Sequence, residues 1–401
     1  MQKHARRALI RSGVYLVFID NQNHAFYNLP MTNAKIALVH DWLTGQRGGE
    51  KVLEVLAELF PRAPIFTLFH FKDSQKESIE ERDIRCSFLQ RMPFARKHYR
   101  WYLPLYPAAV ECLDLQEFDF VISSSHCAAK GIIPAPGALH ISYIHSPMRY
   151  AWNQYHAYFP PARLNCFTRT AIPLMMHWIR MWDESSSRRV DWFIANSQAV
   201  SQRIQRYYRR SSAVINPPVD TDFFALGQSD SDYFLIVSAL VPYKRIDMAV
   251  HAFNRTGQPL KIVGKGPEYK KLKKSAKKNI DFLGEVSAQD LRRIYQKARA
   301  LIMPGEEDFG INVLESQACG TPVIALERGG ACETVESGKT GLLFERATVS
   351  GLMSALDKFD RLTFNKDLLR KNALSFSRES FKNRINTYLQ RKWMEFRDQH
   401  D

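Results

Sequence analysis

The chain has 401 residues, 45% of them hydrophobic, and a formal net charge of +15. One core rarely grows past ~250–300 residues, so the length predicts two or more domains; the charge favours anionic partners such as nucleic acid, acidic lipid headgroups or phosphorylated substrates, without choosing among them. No run reaches the ~18 uninterrupted apolar residues of a spanning helix, no secretory signal pattern is visible, and the six scattered cysteines, with no CxxC, read as a reduced, cytosolic set rather than a disulfide framework.

Residues 1–33 show weak periodicity and precede "MTNAKIALVHDW", which looks like a natural start at Met31. Two readings of this extension stand open: a basic arm for a membrane surface, or translation that begins at Met31. From residue 34, short apolar runs alternate with helical patterns, the signature of βαβ units around parallel sheets. "KIALVHD" (35–41) leads to a helix over 50–60. Strand-like runs follow at 65–69, 118–125, 140–146 and 191–197. The series ends in "VINPPVDTDFF" (214–224), where Pro217 and Pro218 stiffen the backbone and predict a domain junction. The pattern then restarts at 233–240, with a helix from about Ile246 to Phe253, and continues through 259–266, 280–284, 299–305 and 322–326. Two doubly wound units result, 34–225 and 226–385. A helical tail, 386–401, is expected to pack back on the first.

Ligands of doubly wound sheets collect at the carboxyl ends of the strands. The loop 304–310 lies at such an edge and carries Glu307. Seven residues later Glu315 shares a helical stripe with Ile311, Leu314 and Ala318. A buried carboxylate is costly unless it is hydrogen-bonded, so Glu315 calls for a polar partner. Gly48 and Gly49, and Gly264 and Gly266, follow strands and let backbone amides approach a phosphate or a base closely. Neither pair completes GxGxxG, which argues against NAD. The segments 88–112 and 148–182 interleave aromatics with bases. They read either as solvated helix faces or as a surface for a lipid-linked or anionic acceptor. "DTD" (220–222) and "DSD" (230–232) imitate a metal-binding DxD but fall in the junction, and read as turns and caps.

Several of these stretches together carry a resemblance. "RGGEKVL" (47–53), "SSSHCAAKG" (123–131), "YIHSPMRYAWNQY" (143–155), "ANSQAVSQRI" (195–204), "INPPVDTDFF" (215–224), "VPYKRID" (241–247), "VGKGPE" (263–268) and "GEEDFGINVLESQACGTPVIA" (305–325) resemble family 4 of the retaining, nucleotide-sugar-dependent glycosyltransferases over residues 34–385. The Glu-x7-Glu spacing of Glu307 and Glu315 is the most specific feature. The resemblance implies the GT-B fold, two facing Rossmann-like domains with parallel sheets and a C-terminal crossover helix. It implies an acceptor-side first domain and a nucleotide-sugar-binding second domain. By the same resemblance Glu315 holds the ribose, Glu307 contacts the transferred sugar, and Lys244 and Arg245 bind the diphosphate. The opening amides of the next helix (Phe309, Gly310, Ile311, Asn312) join them, and His145 orients sugar and acceptor. Arg149 and Asn153 are expected to grip the acceptor. The family usually has an Arg where this chain has Ala239, which puts one phosphate contact in doubt. "HSPMRYAW" is similar to the branch that builds bacterial surface polysaccharides, often with GDP-mannose. The resemblance therefore implies a hexosyltransferase, mannose the first choice, acting on a polyprenyl-diphosphate-linked oligosaccharide. It implies no metal or other cofactor. The bases follow no nucleic-acid recognition motif, and with the aromatics of 88–112 they predict a peripheral place on the inner face of the plasma membrane. An epimerase or hydrolase of the same fold, or a non-catalytic sugar-nucleotide-binding partner, are the rival readings.

Overall fold

The computed structural model describes residues 34–45, 48–161, 165–227 and 232–400, together with a short antiparallel strand pair, β1 (Val17–Ile19) and β2 (Ala25–Tyr27). The rest of the 1–33 extension, Arg47 of the glycine loop, and Asp230 and Ser231 of the second DxD look-alike lie outside the described residues.

Seven parallel strands form the first sheet: β3 (Ile36–His40), β4 (Ile65–Thr67), β5 (Ile84–Cys86), β6 (Phe120–Ser125), β7 (Leu139–Ile144), β8 (Trp192–Ala195) and β9 (Ser212–Val214). Their order is β5-β4-β3-β6-β7-β8-β9. The order reverses between β3 and β6, where His40 pairs with Ser124 in register. The central strands are buried almost throughout because helices cover both faces, although β6 ends in Ser123, Ser124 and Ser125 and β7 carries His140 and Ser142. One face is covered by Val52, Leu53 and Leu56 of the Gly48–Leu59 helix. The other is covered by Tyr99, Tyr106 and Val110, and by Met176 and Ile179 of the 21-residue Cys166–Ser186 helix.

The second sheet has six parallel strands: β10 (Tyr233–Val237), β11 (Leu260–Val263), β12 (Ile280–Gly284), β13 (Ala298–Met303), β14 (Val323–Leu326) and β15 (Gly341–Phe344). Their order, β12-β11-β10-β13-β14-β15, reverses between β10 and β13. Both reversals open clefts at strand carboxyl ends, and those clefts face one another.

The chain crosses between the domains twice, and the crossings run side by side. Val219 donates its amide to the carbonyl of Phe376 at 2.9 Å and bridges to Ser377. Val219, Phe309, Leu314, Ile311 and Phe376 pack into a small hinge core beneath the 304–310 loop. The expected boundary at 385 shifts earlier. One continuous helix, Arg378–His400, already belongs to the first domain at Phe381 and Ile385, which join its core. An apolar row from Phe381 to Phe396 draws the whole helix onto that sheet, and Trp393 stacks on Phe120 at 5.6 Å. Among the described residues no helix is long and apolar enough to cross a membrane.

Candidate active site

The first domain's side of the cleft is built on a buried aspartate. Asp41 follows β3 and accepts four amides: His126 (2.6 Å) and Cys127 (2.9 Å) on one oxygen, Ala128 (2.6 Å) and Ala129 (2.7 Å) on the other. His126 Nδ1 lies 3.0 Å from the same carboxylate. Burial opposes this charge, but His126, as charge partner and hydrogen-bond donor, outweighs it and holds the carboxyl well below the usual range. Asp41 thus ties the loop after β6 to the end of β3.

His145, just past β7, lies 2.8 Å from Ser124 Oγ through Nε2. Its ring is 6.4 Å from those of His40 and His126. Burial first, and then the neighbouring histidines, push its pKa well below the ordinary value, so the imidazole is neutral. A Cβ on Gly49 would lie 3.4 Å from both His145 Nε2 and His40 Cε1, so a glycine there lets the helix start come down onto the imidazoles.

The second domain supplies acids and a lysine. After β10 a tight turn, Pro242–Lys244, points the Lys244 ammonium at Glu307. Arg245 follows with φ 53°, and its half-exposed guanidinium lies 3.6 Å from Asp247. Gly310 caps the Ile311–Ala318 helix with φ 84°; the amide of Val313 bonds the Gly310 carbonyl at 3.0 Å, leaving those of Ile311 and Asn312 without intrahelical partners. Phe309 and Ile311 turn their side chains into the hinge core, and Asn312 donates to the carbonyl of Val237 at 2.8 Å. Any ligand role of these residues therefore belongs to their backbone.

Gly264 and Gly266 let the 238–240 backbone come close: a Cβ on Gly264 would lie 2.0 Å from the carbonyl oxygen of Ser238, and one on Gly266 2.3 Å from that of Leu240. Asp220 caps its own turn by accepting the amide of Phe223 at 3.0 Å, as the turn reading expected.

Ion pairs cross the cleft. Arg203, on the Gln198–Tyr208 helix, binds Glu306 at 2.6 Å and also Asp308. Arg149 approaches Asp308 at 3.4 Å and lies 4.7 Å above the ring of Tyr243, which stacks on Tyr158. The Nε and Nη2 of Arg149 are buried without a protein partner among the described residues. Asn153 is exposed in the following turn. Glu315 is 6% exposed, as its stripe requires. Its carboxylate is held by Lys51 of the first domain and by Tyr295 Oη at 3.1 Å. Glu333 accepts the amide of Gln198 at 2.8 Å and so caps a helix of the opposite domain.

Glu307, Lys244, Glu315, Arg149 and His145 thus face one cleft. Sequence reasoning passed over Asp41, Lys51, His126, Arg203, Tyr243 and Glu333. All but Glu333 lie in a quoted motif, but the partner of each is distant in sequence.

Residues 47–223 match the model "Glycosyltransferase Family 4" and residues 219–373 match "Glycosyl transferases group 1". An uncharacterized glycosyltransferase of Methanocaldococcus jannaschii is 29% identical over 197 residues, covering 47% of this chain and 55% of that protein. A GDP-mannose-dependent alpha-(1-6)-phosphatidylinositol monomannoside mannosyltransferase of Mycolicibacterium smegmatis is 32% identical over 170 residues, covering 35% of this chain and 44% of that protein. A glycogen synthase of Pseudomonas syringae pv. syringae is 30% identical, covering 39% and 34%. The chain therefore spans about half or less of these curated relatives. Among solved structures, HepE of Anabaena in complex with UDP and glucose superposes with a TM-score of 0.67 at 17% identity, over 89% of this chain and 99% of that one. Sucrose-phosphate synthase from Thermosynechococcus elongatus gives the same TM-score and identity over 90% and 99%. The architecture is GT-B, and the chain belongs to the family 4 glycosyltransferases.

Proposed function

We propose that the protein is a retaining glycosyltransferase that moves a hexose, mannose from GDP-mannose before others, to a polyprenyl-diphosphate-linked oligosaccharide in bacterial surface-polysaccharide synthesis. The observation that carries this reading is the placing of Lys244 and Glu307 opposite Arg149 and Arg203, where the two sheet reversals face each other. The donor class is supported by the UDP and glucose named with HepE, and mannose by the GDP-mannose dependence of the mycobacterial relative.

In this reading the donor diphosphate lies against Lys244 and the amides that open the Ile311–Ala318 helix. A charge-assisted hydrogen bond contributes ~1.5–3 kcal/mol, well above the ~0.3–1 kcal/mol of a helix dipole, so the lysine is the larger contributor. Glu315 takes the ribose hydroxyls, since two carboxylate oxygens suit two adjacent donors. Glu307 takes hydroxyls of the sugar, and neutral His145 orients sugar and acceptor. The acceptor oxygen bonds to the anomeric carbon on the face from which the phosphate departs. The bond from that carbon to the phosphate oxygen breaks, and the acceptor proton passes to the departing oxygen. Charge neutralisation comes from protein cations, so no metal is required.

The acceptor's membrane sets the location, the inner face of the plasma membrane. Support comes from the bases of 88–112, where Phe94 and Trp101 are 76% and 72% exposed. The test is a panel of GDP-mannose, GDP, UDP-glucose and UDP in thermal shift, followed by transfer assays with and without chelator. Stabilisation by at least one nucleotide sugar, with transfer intact in EDTA, is expected. Donor turnover without acceptor would instead favour a hydrolase or epimerase.

A further inference from the structure

The Glu315 carboxylate already has partners on both oxygens. Tyr295 donates to one from within the same domain, and Lys51 reaches the other across the cleft. The two partners are not equivalent. Tyr295 is wholly buried, whereas the Lys51 side chain is 30% exposed. An incoming ribose hydroxyl must compete with one of them, and the exposed ammonium is the one that can leave without stranding a buried group.

The geometry also fixes what the ammonium meets next. The Gly48–Leu59 helix opens beside the Ile311–Ala318 helix: a Cβ on Gly48 would lie 3.1 Å from Ile311 Cδ1. The first turns of both helices direct amides toward this gap, and Lys51 stands in the first of them. In a nucleoside diphosphate the phosphates are joined directly to the ribose. A ribose on Glu315 therefore brings phosphate oxygens to the neighbourhood of the ammonium it displaces.

We propose that Lys51 is a further donor-binding residue that exchanges partners, leaving the Glu315 carboxylate for a phosphate of the nucleotide as the ribose takes its place. This rests on the donor reading above. The exchange makes a phosphate-dependent selection. A bare nucleoside must displace Lys51 and offers it nothing, while a nucleoside diphosphate supplies the new anion. Loss of Lys51 should therefore move the two ligand classes in opposite directions, which a residue that merely ties the domains together would not do.

The test compares the intact protein with Lys51→Ala and Lys51→Arg. GDP and UDP binding is read by calorimetry. Guanosine and uridine binding is read by saturation-transfer NMR at millimolar ligand, which detects weak complexes. Lys51→Ala should bind the better diphosphate about tenfold more weakly or worse, the loss of one charge-assisted contact. It should bind the matching nucleoside more tightly than the intact protein does, and Lys51→Arg should restore diphosphate affinity. Weakening of both ligands together, no change in either, or no nucleoside signal in Lys51→Ala would overturn the exchange. Failure of the intact protein to bind any of the four would overturn the donor reading beneath it, a distinguishable result.

Discussion

Lys244 meets the most demanding part of the proposed reaction, because negative charge on the leaving diphosphate grows toward the transition state. Lys244→Ala should lower kcat by roughly 10- to 100-fold, with a smaller rise in KM. A rise in KM alone, in steady-state kinetics, would mean that the lysine holds only the ground state. A second residue governs pH response rather than turnover. His140 is buried on β7, where Nδ1 donates to the carbonyl of Arg189 at 3.2 Å and Nε2 lies 2.8 Å from Ser123 Oγ. Burial lowers its pKa from 6.5 to about 3. The folded state then binds fewer protons than the unfolded one below pH 6.5, so this contribution is present above 6.5 and lost as pH falls toward 3. His140→Gln should flatten the stability–pH slope between ~pH 6 and 4 by up to ~1.4 kcal/mol per pH unit in denaturant titrations. An unchanged slope would contradict that assignment. At this scale the sequence was half legible. Glu315 announces itself as an acid on an apolar stripe, but Lys51, 264 residues away, has no local signal.

Among the elements, the Arg378–His400 helix is foreign to the domain that precedes it and depends on the first domain's core. Trp393→Ala should cost ~3–5 kcal/mol, the usual range for removing a buried aromatic, and chemical denaturation should show the loss. A cost below about 1 kcal/mol would mean the helix is not integral to that core. The Cys166–Ser186 helix has a second, outward face. Phe167, Leu174, Trp178 and Met181 share it by spacing and are all exposed, with His177 beside them. The aromatic and basic mixture of 148–182 thus resolves into two faces, one packed and one open. Anionic-vesicle sedimentation should be lost on changing Arg96, Lys97 and Arg100 to Glu, and weakened by Phe167→Ser with Trp178→Ser. Equal binding to neutral and anionic lipid would remove the electrostatic anchor. The central strands were readable because parallel sheets covered on both faces need apolar runs. The edge strand β5 was not, since "IRC" is short and its arginine faces outward to Asp83 and Glu117.

For the molecule as a whole, two doubly wound units are brought face to face by paired crossings at Val219 and Phe376 and by carboxylates shared across the cleft. The alternation of strands and helices makes the two units legible in the sequence. Their mutual pairing is not, because Arg203 with Asp308 and Gln198 with Glu333 are tertiary choices without a periodic signature. Charges that pair across the cleft are also charges a ligand can redistribute, and such redistribution is how a donor would bias domain closure. The central claim is that the cleft binds a nucleotide sugar through Glu315. The direct measurement is a calorimetric titration of GDP-mannose and UDP-glucose into the intact protein and into Glu315→Ala, with thermal melts to establish that the variant is folded. The account predicts saturable binding of at least one donor by the intact protein and a loss of about tenfold or more in the variant. Equal affinity in a folded variant, or no binding of either donor by the intact protein, would contradict it.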